Sequence, residues 1–362
     1  MDRRQFLKTV AGTALCSMTG VYAIEKGAAK MGVSEKSEPT YNHLPRWRGF
    51  NLLEKFTDHR RSPFRESDFE WMSEWGFDFA RLPLSYRCWA DVDKWLELKE
   101  DVLEEIDQAV EFGRKHGVHV NINFHRAPGY CVNPPKEPLD LWSNEEALDA
   151  CAFHWAHFAK RYKGIPNAQV SFDLLNEPAR QPEETYVRVA TRLVEAIRAE
   201  DPDRLIIADG LSWGRDPVHG LADLKVGQST RGYDPMQISH YKASWVRSEG
   251  WDEPTWPLKR GDETLDKEWL RKNYIEPWKE LERKGVGVHV GEWGAFQYTP
   301  YKVVLAWMRD FLDLWKEAGW GWAMWNFRGS FGILDSNRED VKYEDFQGHK
   351  LDREMLELVK AY

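Results

Sequence analysis

Cysteine is scarce in this chain: Cys16, Cys88, Cys131 and Cys151 among 362 residues. Cys16 falls in the leader described below, which leaves three. Three cannot form a fully paired framework, and no CxxC or mixed Cys/His ligand spacing appears. They read as small buried hydrophobes with at most one disulfide. Long basic runs are missing too, and the formal charge is −9. That balance argues against a nucleic-acid or anionic-membrane partner. The 11 His show neither HExxH nor clustered ligand spacing, so no metal and no cofactor is expected. There is no GxSxG elbow, no P-loop, and no GxGxxG after the first candidate strand. No Pro- or Ser-rich linker, low-complexity tract or repeat divides the chain after residue 45.

What is abundant is aromatic surface. Against an ordinary globular background of 42% hydrophobic and 30% charged residues stand 19 Trp, 17 Phe and 13 Tyr. Two readings follow. The bland one is a Trp-rich core. The sharper one is a set of stacking platforms, since the C–H face of a sugar ring fits an aromatic face.

The N-terminus reads as a targeting segment. Residues 1–8 are MDRRQFLK, residues 9–24 carry no charge, and Val21-Tyr22-Ala23 offers a small-residue cleavage site. A basic start, a short apolar middle and a small-residue exit describe a signal peptide over 1–23 rather than a spanning helix of ~20 residues. Arg3-Arg4 followed by Gln5-Phe6-Leu7-Lys8 resembles the twin-arginine export signal. The alternative is an amphipathic N-terminal helix. Removing Asp2, Arg3, Arg4 and Lys8 takes away a net +2 and leaves −11. Residues 24–45 are polar and read as a flexible lead-in. The expected product is an exported, periplasmic or extracellular monomer with no integral membrane segment.

From residue 46 to 362 short β-rich runs alternate with helical patterns. Candidate strands are 47–53, 77–84, 119–125, 170–176, 205–209, 226–233, 288–293 and 321–327. Candidate helices are 103–116, 145–162, 183–200, 265–284 and 301–318. In the first of these Leu103, Ile106, Ala109, Val110 and Phe112 recur at three-to-four spacing, which marks an amphipathic helix. Eight strands with helices or connectors between them predict an α/β fold, a (β/α)8 TIM barrel of one catalytic domain. Two long insertions, 126–143 and 234–263, break the rhythm. Insertions of that kind are usually functional.

In such a barrel, chemistry sits at the C-terminal ends of the strands. The fourth candidate strand ends Asn176-Glu177-Pro178, and Pro178 stops its ladder. The seventh ends Gly291-Glu292-Trp293. Strands four and seven lie on opposite walls, so both carboxyls can face each other across the mouth. Glycosidic cleavage needs that pair: one protonated to release the leaving oxygen, one ionised to attack the anomeric carbon. Either Glu alone reads as readily as a salt bridge to a loop cation. Both in such contexts do not.

At FDLLNEP (172–178) and VGEWGAF (290–296) the chain resembles glycoside hydrolase family 5, the cellulase family. The resemblance runs from about residue 46 to 360. It implies Glu177 as acid/base and Glu292 as nucleophile. It further implies substrate-binding or supporting roles for Arg81 in FARLPLS, His125 in NINFHR, Asn176 toward the sugar 2-hydroxyl, and Trp325 in AMWNF as a sugar platform. One position departs from the pattern. The family commonly has His-x-Tyr after strand six, whereas here Arg231 stands at the His and Tyr233 at the Tyr. A rival alignment uses His240-Tyr241. An Arg there stays charged and lowers the pKa of a nearby carboxylate.

The activity implied is a retaining β-glycosidase on a polysaccharide or oligosaccharide, first a β-1,4-glucan. Mannan, β-1,3-glucan and mixed-linkage glucan are rivals, and His125-Arg126-Ala127-Pro128-Gly129 resembles a loop of the exo-acting β-1,3 branch. A non-hydrolytic carbohydrate-binding barrel and a transglycosylase are alternatives from other classes. Glu54 reads as a sugar ligand or a salt bridge, and Arg126 as a substrate contact or a loop brace. Trp89, Trp142, Trp213, Trp245 and Trp251 fall in mouth-side loops. Trp293 is expected to pack behind the nucleophile.

Overall fold

Eight parallel strands close on themselves: β1 (Arg48–Asn51), β2 (Phe79–Ser85), β3 (His119–Ala127), β4 (Val170–Asp173), β5 (Ile206–Asp209), β6 (Gly227–Gly232), β7 (Val288–Trp293) and β8 (Trp322–Met324). Consecutive strands pair with one another, and β8 pairs with β1 through Gly49 opposite Ala323, which completes the barrel. Each overlaps one of the runs read from the sequence. The computed structural model describes residues 38–362. The export signal expected over 1–23 and most of the lead-in over 24–45 lie outside the described residues. The end of that lead-in is packed. Gly287 N donates to the Tyr41 carbonyl at 2.8 Å, and Tyr41 and Leu44 pack on Trp47, Phe79, Leu205 and Ala323 at the N-terminal end of the barrel.

The helices alternate with the strands: α1 (Glu66–Glu74), α2 (Glu100–His116), α3 (Glu145–Tyr162), α4 (Glu183–Glu200), α5 (Tyr301–Ala318) and α6 (Arg353–Lys360). Local signals set their ends. Asn144 accepts from Ala147 N at 3.0 Å and caps α3, and left-handed Gly117 (φ 71°) ends α2. Between β5 and β6 a kinked helical turn, Leu211–Gly214, and a 3₁₀ turn, His219–Leu224, take the place of a long helix. The helix expected over 265–284 is broken. Lys267–Leu270 passes through a π turn, Arg271–Ile275, into Glu276–Glu282. Pro277 has no N–H to give the carbonyl four residues back, and Glu276 N reaches Arg271 instead. The 234–263 insertion is likewise not structureless. It holds a helical turn, Met236–Ser239, and a strand, Leu258–Arg260, paired with Glu263–Leu265.

The apolar core lies between barrel and helices. Phe50, Leu82, Ile122, Phe172 and Val290 face outward into it, with Trp155, Trp278, Trp307 and Trp315 from the surrounding layer. Most tryptophans are therefore core, and among the described residues Trp245 is the large exposed one at 56%. The barrel interior is polar instead. Above the Phe79–His119 stack (5.4 Å) sit Asn51, Arg81, Asn121, Ser171, Asp173, Asp209, Ser229 and Arg231, all buried. Burying such groups is unfavourable unless they bond one another. They do: Ser171 Oγ meets His119 Nε2 at 2.7 Å and Asn121 Nδ2 at 2.9 Å. Cys88, Cys131 and Cys151 are all free thiols.

Candidate active site

Two backbone irregularities aim the two glutamates. The β4 ladder stops at Asp173, earlier than the expected 176, and the chain turns so that Glu177 takes a left-handed φ of 49°. A non-glycine residue there costs about 1–3 kcal/mol and needs outside support. Asp209 Oδ2 accepts from Glu177 N at 2.8 Å, and Tyr130 donates its hydroxyl to the Glu177 carbonyl at 2.7 Å. On β7, Val290 pairs with Thr230 and Glu292 with Arg231, so Gly291 is an extra, bulged residue. Strict alternation would send Glu292 outward with Val290. The bulge turns it into the barrel. A Cβ on Gly291 would stand 2.7 Å from Arg231 Nη1, so only glycine fits.

The carboxyls then converge on two guanidiniums. Arg81 donates from Nη1 to Glu292 Oε1 (2.6 Å) and Asn51 Oδ1 (3.1 Å), from Nε to Asp173 Oδ2 (2.8 Å), and from Nη2 to Asn176 Oδ1 (2.9 Å). Arg231 donates from Nε to Glu177 Oε1 (3.0 Å) and from Nη2 to Asn176 Oδ1 (3.0 Å) and Glu292 Oε1 (3.5 Å). It also grips both oxygens of Asp209, from Nη1 at 3.0 Å and from Nη2. Both glutamates thus touch one side chain. Tyr233 donates its hydroxyl to Glu292 Oε2 at 3.1 Å, so Tyr233 and not Tyr241 is the tyrosine on this carboxyl.

Four carboxyls, Asp173, Glu177, Asp209 and Glu292, face two guanidiniums; Asp173 and Asp209 are shut off from solvent, while Glu292 and Glu177 keep 5% and 14% side-chain exposure at the mouth. The imbalance favours protons on some of them. Burial, then the neighbouring Glu292, pushes the Glu177 carboxyl up to about 7 against the opposing pull of Arg231. Burial and the Asp209 charge push Asp173 upward as well. Burial and three arginines hold His125 well below the ordinary imidazole range, so it is neutral.

Asn176 is fully buried, and its Nδ2 has no protein partner. Trp325 follows β8, half-buried, with its ring stacked on His125 (5.5 Å) and edged by Phe56 (5.5 Å). Arg81 and Arg231, expected among the substrate contacts, direct their donors to protein groups. Arg126 braces the 126–143 loop, donating to Glu137, Pro135, Asn133 and Pro134. Glu54 faces Arg328 at 3.7 Å and lines a cavity of about 200 Å³ with Leu53, Arg60, Ser62 and Phe327, beside Asn51. Trp89 and Trp142 are buried, and Trp293 packs behind β7 against Trp315 (4.9 Å). Trp213 and Trp251 are partly exposed, and Trp245 stands out over Phe296 (4.7 Å).

Sequence reasoning missed Asp209, Asp173 and Tyr130. Asp209 carried a signal, since it ends a candidate strand as Glu177 and Glu292 do. Tyr130 carried none. Among the described residues no group of three or more His, Cys, Asp or Glu is arranged to hold a metal, and no helix is long and apolar enough to cross a membrane.

Known proteins resemble this chain in sequence and fold. A family model described as cellulase (glycosyl hydrolase family 5) matches residues 33–330. A crystal structure described as a glycoside hydrolase is 39% identical, with a TM-score of 0.83, and the match covers 87% of this chain and 99% of that one. Endoglucanase C of Acetivibrio thermocellus is 27% identical over 313 residues, 79% of this chain and 91% of the relative. Cel5A of Thermotoga maritima, solved with mannotriose, is 21% identical and shares the fold at a TM-score of 0.70, over 87% and 97% of the two chains. With its barrel and most of its length matched, the chain belongs to the cellulase family, glycosyl hydrolase family 5, and is a glycoside hydrolase.

Proposed function

We propose that this enzyme is a retaining β-glycosidase that cleaves β-1,4-linked glucan by double displacement. The reading rests on one observation: Glu177 and Glu292 share Arg231 yet sit in opposite settings. Glu292 receives donors from Arg81, Arg231 and Tyr233, which suits an ionised nucleophile. Glu177 receives one guanidinium N–H, and burial raises its carboxyl to about 7, which suits an acid that holds its proton near neutrality.

Glu292 attacks the anomeric carbon as the glycosidic C–O bond breaks. Glu177 gives its proton to the leaving oxygen. Glu177, now ionised, takes a proton from water, whose oxygen displaces Glu292 and restores the configuration. Asn176 Nδ2 is the open donor beside both carboxyls and binds the sugar 2-hydroxyl. Neutral His125 and the Trp325 face shape the cleaved subsite. Arg231, standing where the family commonly has a histidine, keeps its own charge throughout the working range. The endoglucanase relative supports a glucan substrate. The twin-arginine-type segment over 1–23 supports export to the periplasm or beyond.

Defined oligosaccharides of β-1,4-glucan, mannan and β-1,3-glucan, with product identification, test the substrate. An enzyme that turns over mannan or β-1,3-glucan and leaves β-1,4-glucan intact overturns that part. Hydrolysis of an aryl β-glycoside by the wild type but not by Glu292→Gln tests the chemistry. An active Glu292→Gln variant removes Glu292 from the nucleophile position.

A further inference from the structure

Arg231 presents a full set of guanidinium donors, and protein groups accept all of them. Nε serves Glu177, Nη1 serves Asp209, Ser229 Oγ and the Thr230 carbonyl, and Nη2 serves Asp209, Asn176 and Glu292. No N–H is left for a sugar. Asp209 is as fully engaged. Both of its oxygens meet Arg231, and Oδ2 also accepts from Glu177 N at 2.8 Å. Asp209 therefore holds Glu177 twice, by its backbone directly and by its carboxyl through Arg231. Both residues are buried, so the pair is felt at Glu177 with little screening.

We propose that Asp209 and Arg231 form a positioning pair that holds Glu177 in its left-handed conformation and sets the pH at which Glu177 releases its proton. The inference rests on the acid/base reading of Glu177 and deepens it. Asp209 meets Glu177 only at its backbone N–H, whereas Arg231 meets the carboxyl oxygens of Glu177 and Glu292 and keeps no donor for the sugar.

The charged and titratable groups that face Glu177 come from four elements. Arg231 and Tyr233 come from β6 and the residue after it, Asp209 and Arg215 from β5 and its loop, Glu292 from β7, and Tyr130 from the hairpin after β3. Arg231 favours the ionised carboxyl. Asp209 and Glu292 disfavour it. Within one ion pair, then, the two members push Glu177 in opposite directions.

The test is the alkaline limb of kcat/KM against pH, read on a substrate with a poor leaving group. Asp209→Asn keeps an acceptor for the Glu177 N–H but removes the negative charge. Its limb is expected to move down by about half to one pH unit. Arg231→Gln removes the positive charge, and its limb is expected to move up by a similar amount. The double variant Asp209→Asn/Arg231→Gln is expected to return the limb near its wild-type position with kcat still reduced, because the grip on Glu177 is gone. Limbs that stay fixed, or that move the same way in both single variants, overturn the proposal.

Arg231→Gln leaves buried Asp209 with only Arg81, 3.7 Å away, to balance its charge and can cost the fold. The double variant, which buries no lone charge at this pair, is then decisive, and wild-type kcat in it overturns the proposal. Glu177→Ala separates this outcome from the parent reading. If its alkaline limb survives, Glu177 is not the acid. If that limb vanishes while the pair variants leave theirs unmoved, only the positioning pair falls.

Discussion

Arg81 Nη1 lies 2.6 Å from Glu292 Oε1, and the two side chains are only 1% and 5% exposed. A charge-assisted bond this short, shut off from water, is among the stronger polar contacts a protein makes. Its worth lies in differential effect. Removing Arg81 leaves Asp173 and Glu292 buried with less compensation, which for a broken buried pair costs about 3–5 kcal/mol. Arg81→Met should therefore unfold at clearly lower urea concentration than the wild type. The folded fraction should turn over about 10²–10³-fold more slowly, as when a site loses one preorganised donor. Initial rates and urea melts on one preparation check both numbers. A variant as stable as the wild type would mean that the carboxyls had taken up protons to offset the loss.

The raised Glu177 carboxyl has a sign that can be read in a pH profile. An acid catalyst works when protonated. With Glu177 pushed up to about 7, activity on poor leaving groups should hold below that pH and fall as pH rises through it. Activated aryl leaving groups need little protonation, so their fall should be shallower. Glu177→Ala should slow poor leaving groups most and remove their alkaline limb. Equal losses across leaving groups would contradict the acid role.

Gly291 is the hinge on which the position of Glu292 depends. Its carbonyl accepts from Asn51 Nδ2 at 3.0 Å, and its missing side chain leaves room for Arg231. Gly291→Ala puts a methyl against the Arg231 guanidinium and Ser229. Overpacking of this kind costs about 1–3 kcal/mol. The larger effect should be on rate, because Glu292 and Arg231 must part to make room. A kcat loss of about 10²-fold is expected, the scale of an ångström-sized misplacement in an active site. Circular dichroism melts alongside kcat would show the rate falling far more than the stability. A variant with wild-type kcat would show that the bulge tolerates a side chain.

The fold was written in the chain in two languages. Outward-facing Leu82, Ile122, Phe172 and Val290 announce buried strands, and local caps such as Asn144 announce helix starts within a residue. Both are short-range signals. The glutamates stood out because apolar runs stopped at them. Much less of the surrounding network could be read. Arg81 meets Asp173 across 92 positions and Glu292 across 211, and pattern has no access to such separations. The polar lining of the barrel also runs against the branched apolar filling usual for this architecture. Strict alternation alone would put Glu292 on the outer face, and a bulge changes the side without changing the composition. A glycine inside a strand was the one mark it left. The π turn at Arg271–Ile275 was hidden in the same way behind an ordinary amphipathic pattern, with Pro277 as its only trace.

Asn176 offers a test in which enzyme and substrate are altered together. Arg81 Nη2 and Arg231 Nη2 both donate to its Oδ1, at 2.9 and 3.0 Å, so the amide cannot flip. Nδ2 is then fixed facing away from both, buried and without a partner. A buried N–H left unpaired costs about 1–3 kcal/mol, and a ligand that accepts from it recovers that energy. If the acceptor is the sugar 2-hydroxyl, Asn176→Ala should lower kcat/KM by about 10–100-fold on the full substrate and far less on its 2-deoxy analogue. The interaction term between the two changes isolates the contact from any general loosening of the site. Equal losses on both substrates would mean that Asn176 serves only to anchor the guanidiniums, and that the 2-hydroxyl is held by another group.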